Sequence, residues 1–230
     1  FITLSTHHSG SVPGLHDKIE SGVLDNAEEP RFLTHGLFEP DYDPILRRLK
    51  ENRLLNSIQD QVKVIFVPSY LNGNDGIFNL SYYDLLPGFD LSVFPSYYEP
   101  WGYTPLESLV FGVPTITTTL AGFGLWVRSL NMDAGISVID RNDENNEYVV
   151  NSMVSVILSY EKMSEIRKAE LSAAAIKLAH TALWSNLQVN YKHAYSIALE
   201  KVADRSDLFR DKRQAETVLS TNGEKVSHPE

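Results

Sequence analysis

Short apolar runs rich in β-branched residues recur along the chain: Phe1 to Ser5, Val62 to Pro68, Leu91 to Phe94, Val113 to Thr118 and Ile136 to Ile139. Their near-continuous apolar character suits strands covered on both faces, which is the pattern of a parallel sheet. Helical stretches fall between them, at Pro44 to Asn56, Tyr82 to Leu86, Pro105 to Phe111 and Leu125 to Leu130. This alternation predicts an α/β fold, a doubly wound parallel sheet. After Glu144 the pattern changes. Val149, Met153, Val156, Ile157 and Tyr160 fall at helical spacing, as do Ile166, Leu171, Ala175 and Leu178, then Trp184, Leu187, Tyr191, Ala194 and Tyr195. Two or three consecutive helices are expected there, packed on the sheet's edge or bracing a neighbouring domain. Residues 1–203 read as one domain, and 204–230 as a polar, charge-mixed tail whose last residues are expected to be disordered.

A length of 230 residues accommodates one large domain or two small ones. The net charge of -10 is unfavourable for a phosphate backbone, so nucleic acid is not an expected partner. There is no Cys, which removes disulfides and thiolate chemistry and deprives any zinc site of sulfur ligands. That fits a cytoplasmic protein. No apolar run approaches the roughly 18 residues of a membrane-spanning helix, so no membrane is expected as a partner. The opening Phe-Ile-Thr-Leu-Ser-Thr has no basic region and no initiator Met. It reads as a strand entered mid-stream, and the chain is expected to be a domain of something longer.

The segment Val93 to Glu107 carries the most chemistry: Val-Phe-Pro-Ser-Tyr-Tyr-Glu-Pro-Trp-Gly-Tyr-Thr-Pro-Leu-Glu. An apolar strand end runs into an aromatic loop holding Glu99, and a second carboxylate, Glu107, follows inside the first turn of a predicted helix. Loops at the carboxyl ends of strands are where open α/β sheets place ligands. Thr104, Pro105 and Glu107 match an N-cap, N1 and N3, a complete capping box. Glu107 therefore has two readings, closure of a helix turn or acceptance of hydrogen bonds from ribose hydroxyls. Under either, the helix N-terminus points into the loop and favours an anion such as a diphosphate. Glu99 has no capping role, and its neighbours Tyr97, Tyr98, Trp101 and Tyr103 are too apolar for a solvated tip. Such a carboxylate is held against a ligand or satisfied by Tyr hydroxyls. Gly102 permits a turn or a close backbone approach.

A second glycine loop, Leu120-Ala121-Gly122-Phe123-Gly124, follows the next strand and lacks the third glycine of a dinucleotide fingerprint. It reads either as a strand-to-helix turn or as a source of further backbone amides for the same phosphates. Tyr82 and Tyr83 open the short helix before the Glu99 strand, and one of them is a candidate to stack on a nucleobase. Ser69 to Asn79, with Gly73 and Gly76, reads as a mobile loop. His7, His8 and His16 lie near the start, but their spacing matches no standard ligand set, and no metal is expected.

From Phe94 to Gly124 the match to a known family is long. Phe-Pro-Ser-Tyr-Tyr-Glu-Pro-Trp-Gly-Tyr-Thr-Pro, then Glu107, then Gly-Val-Pro-Thr-Ile-Thr-Thr and Gly-Phe-Gly closely resemble the glycogen synthases of the animal and fungal type. Weaker similarity runs back through Arg31 to His35, Asp43 to Leu46 and Val62 to Pro68. The resemblance implies the C-terminal Rossmann domain of a family 3 retaining glycosyltransferase with the two-domain GT-B fold. It implies UDP-glucose as donor, an α-1,4-glucan as acceptor held by an N-terminal domain, and no metal. It assigns Glu99 to the donor glucose, where a carboxylate supports charge developing at the anomeric carbon. Trp101, Gly102, Tyr103 and Thr104 would contact sugar hydroxyls or phosphate, Glu107 the ribose and Tyr82 the uracil. Gly122, Phe123 and Gly124 would join the donor site.

Departures from the family carry expectations too. The basic residues for the diphosphate and the acceptor-binding domain would lie upstream of Phe1, so this chain alone is expected not to synthesise glycogen. The Arg-rich helix that senses glucose 6-phosphate in eukaryotic members is reduced, over Glu161 to His180, to Lys162, Arg167, Lys168 and Lys177. Glucose 6-phosphate is therefore expected not to activate the parent enzyme, a pattern that suits a bacterial member. An ADP-glucose-dependent synthase and a non-catalytic nucleotide-binding or scaffold domain are the rival readings. Homo-oligomerisation is left open.

Overall fold

The parallel pairing that the apolar runs predict is present in the computed structural model, which describes residues 2–3, 7–20, 33–54, 56, 60–132 and 134–222. In chain order the elements are β1 (Ile2–Thr3), β2 (His8–Ser11), α1 (Leu15–Glu20), β3 (His35–Leu37), α2 (Pro44–Glu51) and β4 (Phe66–Val67). Then come α3 (Tyr82–Leu85), β5 (Ser92–Val93), α4 (Tyr103–Val110), β6 (Thr115–Thr118), α5 (Gly122–Ser129) and β7 (Ile136–Ile139). The helices α6 (Asn146–Glu161), α7 (Glu165–Thr181) and α8 (Trp184–Asn222) follow. Strands β5, β6 and β7 form a parallel sheet in that order, with Ser92 opposite Thr115 and Thr118 opposite Ile139. β1 pairs in parallel with β4, placing Ile2 against Phe66. Of the expected first strand, Phe1, Leu4 and Ser5 lie outside the described residues.

Helices cover both faces of the β5–β6–β7 sheet. On one face Leu109 of α4, Phe123 and Val127 of α5 and Ile136 of β7 meet Ala175, Leu178 and Ala179 of α7. On the other, Ile116 and Ile139 meet Val149 of α6, with Met153 and Val156 beside them. This is the doubly wound α/β arrangement. A third cluster, Leu46, Leu49, Val64 and Phe66, sits between α2 and β4. β6 is buried at all four positions although it reads Thr-Ile-Thr-Thr. Two of its hydroxyls are satisfied by backbone, Thr115 Oγ1 donating to Val113 O at 3.0 Å and Thr118 Oγ1 to Ser96 O at 2.7 Å.

Several boundaries differ from the sequence reading for local reasons. α2 stops at Glu51, not Asn56, because Arg53 takes a left-handed φ of 56° and the Asn52 amide closes back on Arg48 O. α5 starts at Gly122, ahead of the expected Leu125. β2 and β3 form an antiparallel pair that apolar periodicity did not show, since His8-Ser9-Gly10-Ser11 is polar. α8 continues through Asp204 to Asn222, across the point where a polar tail was expected to start. Residues 223–230, at the end of that tail, lie outside the described residues. No helix among the described residues is long and apolar enough to cross a membrane.

The segment Ser69 to Asn79 is not the mobile loop its glycines suggested. The Asp75 carboxylate accepts from the amides of Ile77, Phe78 and Asn79 at 3.1, 2.9 and 2.8 Å. Ile77 is fully buried, and the Asp75 carbonyl accepts from His35 Nε2 at 2.7 Å. His16 Nδ1 faces the Ile77 carbonyl, and the His8 ring meets His35 edge-on with centroids 4.7 Å apart. These histidines fasten the β2–β3 pair to the loop. Among the described residues no cluster of His, Asp and Glu is placed to hold a metal ion.

Two expectations follow from the packing. Gly135 turns into β7 at φ +85°, and a Cβ there would lie 2.6 Å from the Ala175 amide nitrogen of α7. Gly135→Ala should cost about 1–3 kcal/mol in urea denaturation, since neither backbone can give. Burial, then the charges of His35 and His7, push the His8 imidazole below its ordinary value. The unfolded chain therefore takes up this proton first as pH falls. Stability should be full above about pH 6.5 and decline below it, and His8→Gln should flatten that decline in pH-dependent unfolding.

Candidate functional site

The site is assembled where two loops leave the carboxyl ends of β5 and β6. The aromatic loop runs beside the second glycine loop and pairs with it through the backbone. Glu99 N donates to Leu120 O at 3.1 Å, Gly122 N to Glu99 O at 3.0 Å and Phe123 N to Trp101 O at 2.6 Å. Glu99 and Ala121 form an isolated parallel bridge, so the two loops extend the sheet by one rung. The Gly122 and Phe123 amides, expected as candidate phosphate donors, are engaged in this pairing.

The glycines are explained by contact distances. A Cβ on Gly122 would lie 2.2 Å from Pro100 O, and one on Gly124 would lie 2.3 Å from Thr118 O. Gly-Phe-Gly therefore lets α5 press its first turn against the aromatic loop and the end of β6. Phe123 is fully buried between them. Trp101 packs its ring on Phe123 and Trp126 at 5.6 and 5.7 Å. The side chains of Trp101 and Phe123 are anchors of the loop in the core.

Gly102 takes φ +103°, and the chain enters α4 directly from it. The helix thus begins at Tyr103, and Thr104 is its second residue, not its N-cap. The expected capping box is absent: no side chain caps α4, and Glu107 lies beyond the N3 position. Pro105 is tolerated because an amide in the first turn has no intrahelical acceptor. The Glu99 Cγ sits 3.3 Å from where a Gly102 Cβ would be, so the carboxylate side chain lies over the start of α4. Tyr103 and Thr104 are exposed beside it.

Glu107 is one turn further along α4 and accepts a hydrogen bond from Tyr83 Oη at 2.8 Å. That hydrogen bond and the carboxylate charge push the Tyr83 phenol up. Tyr82, the residue matched to base stacking, is half-buried and tilted against Tyr83 with centroids 5.5 Å apart. Burial pushes its phenol up. Ser108 lies beside that phenol, but its Oγ donates to Ser92 Oγ at 3.1 Å, and the Tyr82 hydroxyl is left without a partner of good geometry. α3 presents both rings because Ser81 and Asp84 form a complete capping box that fixes its start.

Sequence reasoning missed Arg141, just after β7. Its guanidinium lies over the Tyr97 ring at 3.4 Å from the centroid. It donates to Pro95 O at 2.6 Å and to Asn146 Oδ1 at 3.3 Å, and Tyr97 Oη donates to the same Asn146 oxygen at 2.6 Å. Its backbone amide is accepted by Thr119 Oγ1 at 3.0 Å. Arg141 thereby braces the first half of the aromatic loop, and only its distance along the chain hid it. Arg141→Met should lower stability by about 1–3 kcal/mol in urea denaturation and speed proteolysis between Pro95 and Glu99. Arg141→Lys should recover only part of the loss, because an ammonium lacks the planar fork.

A family profile for glycogen synthase matches residues 20–230. The chain is 36% identical over 192 residues to "Glycogen [starch] synthase" of Caenorhabditis elegans, covering 82% of this chain and 28% of that protein. It is 35% identical over 179 residues to isoform 1 of Saccharomyces cerevisiae, covering 76% of this chain and 25% of that protein. To the liver protein of Homo sapiens it is 29% identical over 233 residues, covering 96% of this chain and 32% of that protein. The chain thus spans about a quarter to a third of the length of these relatives. The aromatic loop, its glycine partner and the α/β sheet beneath them are those of a chain that belongs to the glycogen synthase family.

Proposed function

We propose that this chain is the donor-binding domain of a retaining glucosyltransferase, the C-terminal Rossmann-like half of a GT-B protein. In this reading it takes part in transfer of glucose from UDP-glucose to the non-reducing end of an α-1,4-glucan. The relatives' printed name, glycogen [starch] synthase, supports the reaction class. The observation that carries the site is the position of Glu99 over the start of α4, one turn before Glu107, at the carboxyl end of a parallel strand.

The chemistry follows from that placement. As the bond from the anomeric carbon to the diphosphate breaks, positive charge on the sugar faces the Glu99 carboxylate. Negative charge on the departing diphosphate faces the amides of Tyr103 and Thr104 at the positive end of α4. Glu107 accepts from the ribose, and Tyr82 contacts the base. Gly102 brings backbone close to the ligand, while Trp101, Phe123, Gly122 and Gly124 hold the two loops in register. No metal is required, because the amides and basic side chains of the complete protein neutralise the diphosphate. The cytoplasm is the proposed location, and the sparse cations of Glu161 to His180 favour a bacterial, glucose 6-phosphate-insensitive enzyme.

Calorimetric titration with UDP and ADP, on this chain and on the full-length protein that carries it, tests the reading. UDP should bind in preference to ADP, and Glu107→Ala should weaken it about tenfold or more. In the full-length protein, Glu99→Gln should keep UDP binding while slowing glucosyl transfer on the order of 100-fold. Preference for ADP would reassign the donor to ADP-glucose. Binding without transfer by the full-length protein would make this a non-catalytic nucleotide module.

A further inference from the structure

Tyr83 belongs to none of the roles that the family resemblance supplies, yet it is the residue that touches Glu107. We infer that Tyr83 is a positioning residue for ribose recognition: its hydroxyl holds Glu107 Oε1 so that the other carboxylate oxygen is the one presented to a nucleotide's sugar. The inference rests on the nucleotide-sugar reading above and adds a residue to it.

The grip has two points. The Tyr83 hydroxyl donates to Glu107 Oε1 at 2.8 Å, and its ring stacks on Phe111 with centroids 5.8 Å apart and an interplanar angle of 20°. Glu107 and Phe111 are four residues apart, so they lie on one face of α4 and its end. A ring set along that face therefore fixes the hydroxyl's reach. α3 itself cannot drift, since its capping box closes one end and Tyr82 N donates to Leu71 O at 2.8 Å. Among the described residues no other hydrogen bond reaches the Glu107 carboxylate. A glutamate side chain without a fixed partner samples several rotamers, and this contact selects one before ligand arrives. The hydrogen bond and charge of Glu107 keep the phenol protonated across the neutral range, so it acts as a donor throughout.

A bland account makes the contact a clasp between α3 and α4 with no bearing on the ligand. Tyr83→Phe separates the two, because it keeps the ring on Phe111 and removes only the hydroxyl. The full-length protein would be titrated with UDP or ADP, whichever the wild type binds, and with inorganic pyrophosphate, which has no ribose. Tyr83→Phe should weaken the nucleotide about tenfold and leave pyrophosphate unchanged. In a Glu107→Ala background it should have no further effect, and in turnover it should raise KM while leaving kcat unchanged. Unchanged nucleotide affinity in Tyr83→Phe, with loss in Glu107→Ala, would overturn the positioning role and leave the nucleotide site standing. Equal weakening of nucleotide and pyrophosphate would make Tyr83 a structural clasp and also overturn it. Wild-type protein that binds neither nucleotide overturns both readings together.

Discussion

The rung of backbone hydrogen bonds between Glu99–Trp101 and Leu120–Phe123 is the constraint on which the site depends. A loop leaving a strand has no intrinsic reason to hold one shape, because ordering each residue costs conformational entropy. Here the aromatic loop extends the sheet past the end of β5 by pairing with the loop past β6. That pairing is available only because Gly122 lets Pro100 O approach to a distance that any Cβ would forbid. The carboxylate of Glu99 thus inherits the rigidity of the parallel sheet.

Other contacts act on the two flanks of that rung. On one flank Arg141 grips Pro95 and Tyr97 and ties the loop to the end of β7. On the other, Trp101 anchors in the aromatic cluster with Phe123 and Trp126, which continues into the core shared with α7. Directly after the Trp101 anchor the chain turns at Gly102 into α4 without a side-chain cap. A capping side chain would use first-turn amides that an uncapped helix leaves free for an anion. The absence of the capping box therefore agrees with a ligand-facing helix end better than its presence would have.

Much of this was legible in the sequence, and the losses have physical causes. Apolar runs located β5, β6 and β7, the strands of a sheet that helices cover on both faces. The polar β2–β3 pair escaped, since its strands are held by hydrogen bonds and histidine contacts and not by apolar burial. Ser69 to Asn79 looked mobile because glycines signal turns, but a buried Asp75 with three amide donors closes the loop. At the aromatic loop, spacing located the helix that follows Glu99 and carries Glu107. It misassigned the cap because Thr-Pro-x-Glu satisfies a local rule that the left-handed Gly102 overrides two residues earlier. Tyr83 and Arg141 were invisible as partners because each meets its target across many residues of chain.

The Gly-Phe-Gly loop shows how one motif can serve a purpose other than the one its pattern suggests. In a dinucleotide fingerprint the glycines bring backbone amides to a phosphate. Here the Gly122 and Phe123 amides point at the Glu99 and Trp101 carbonyls, and both glycines are required by backbone approach within the protein. At the start of α4, by contrast, Tyr103 and Thr104 are exposed and Glu99 stands over Gly102. Division of labour follows from this geometry. α5 begins with amides committed to the neighbouring loop, whereas α4 begins without a side-chain cap.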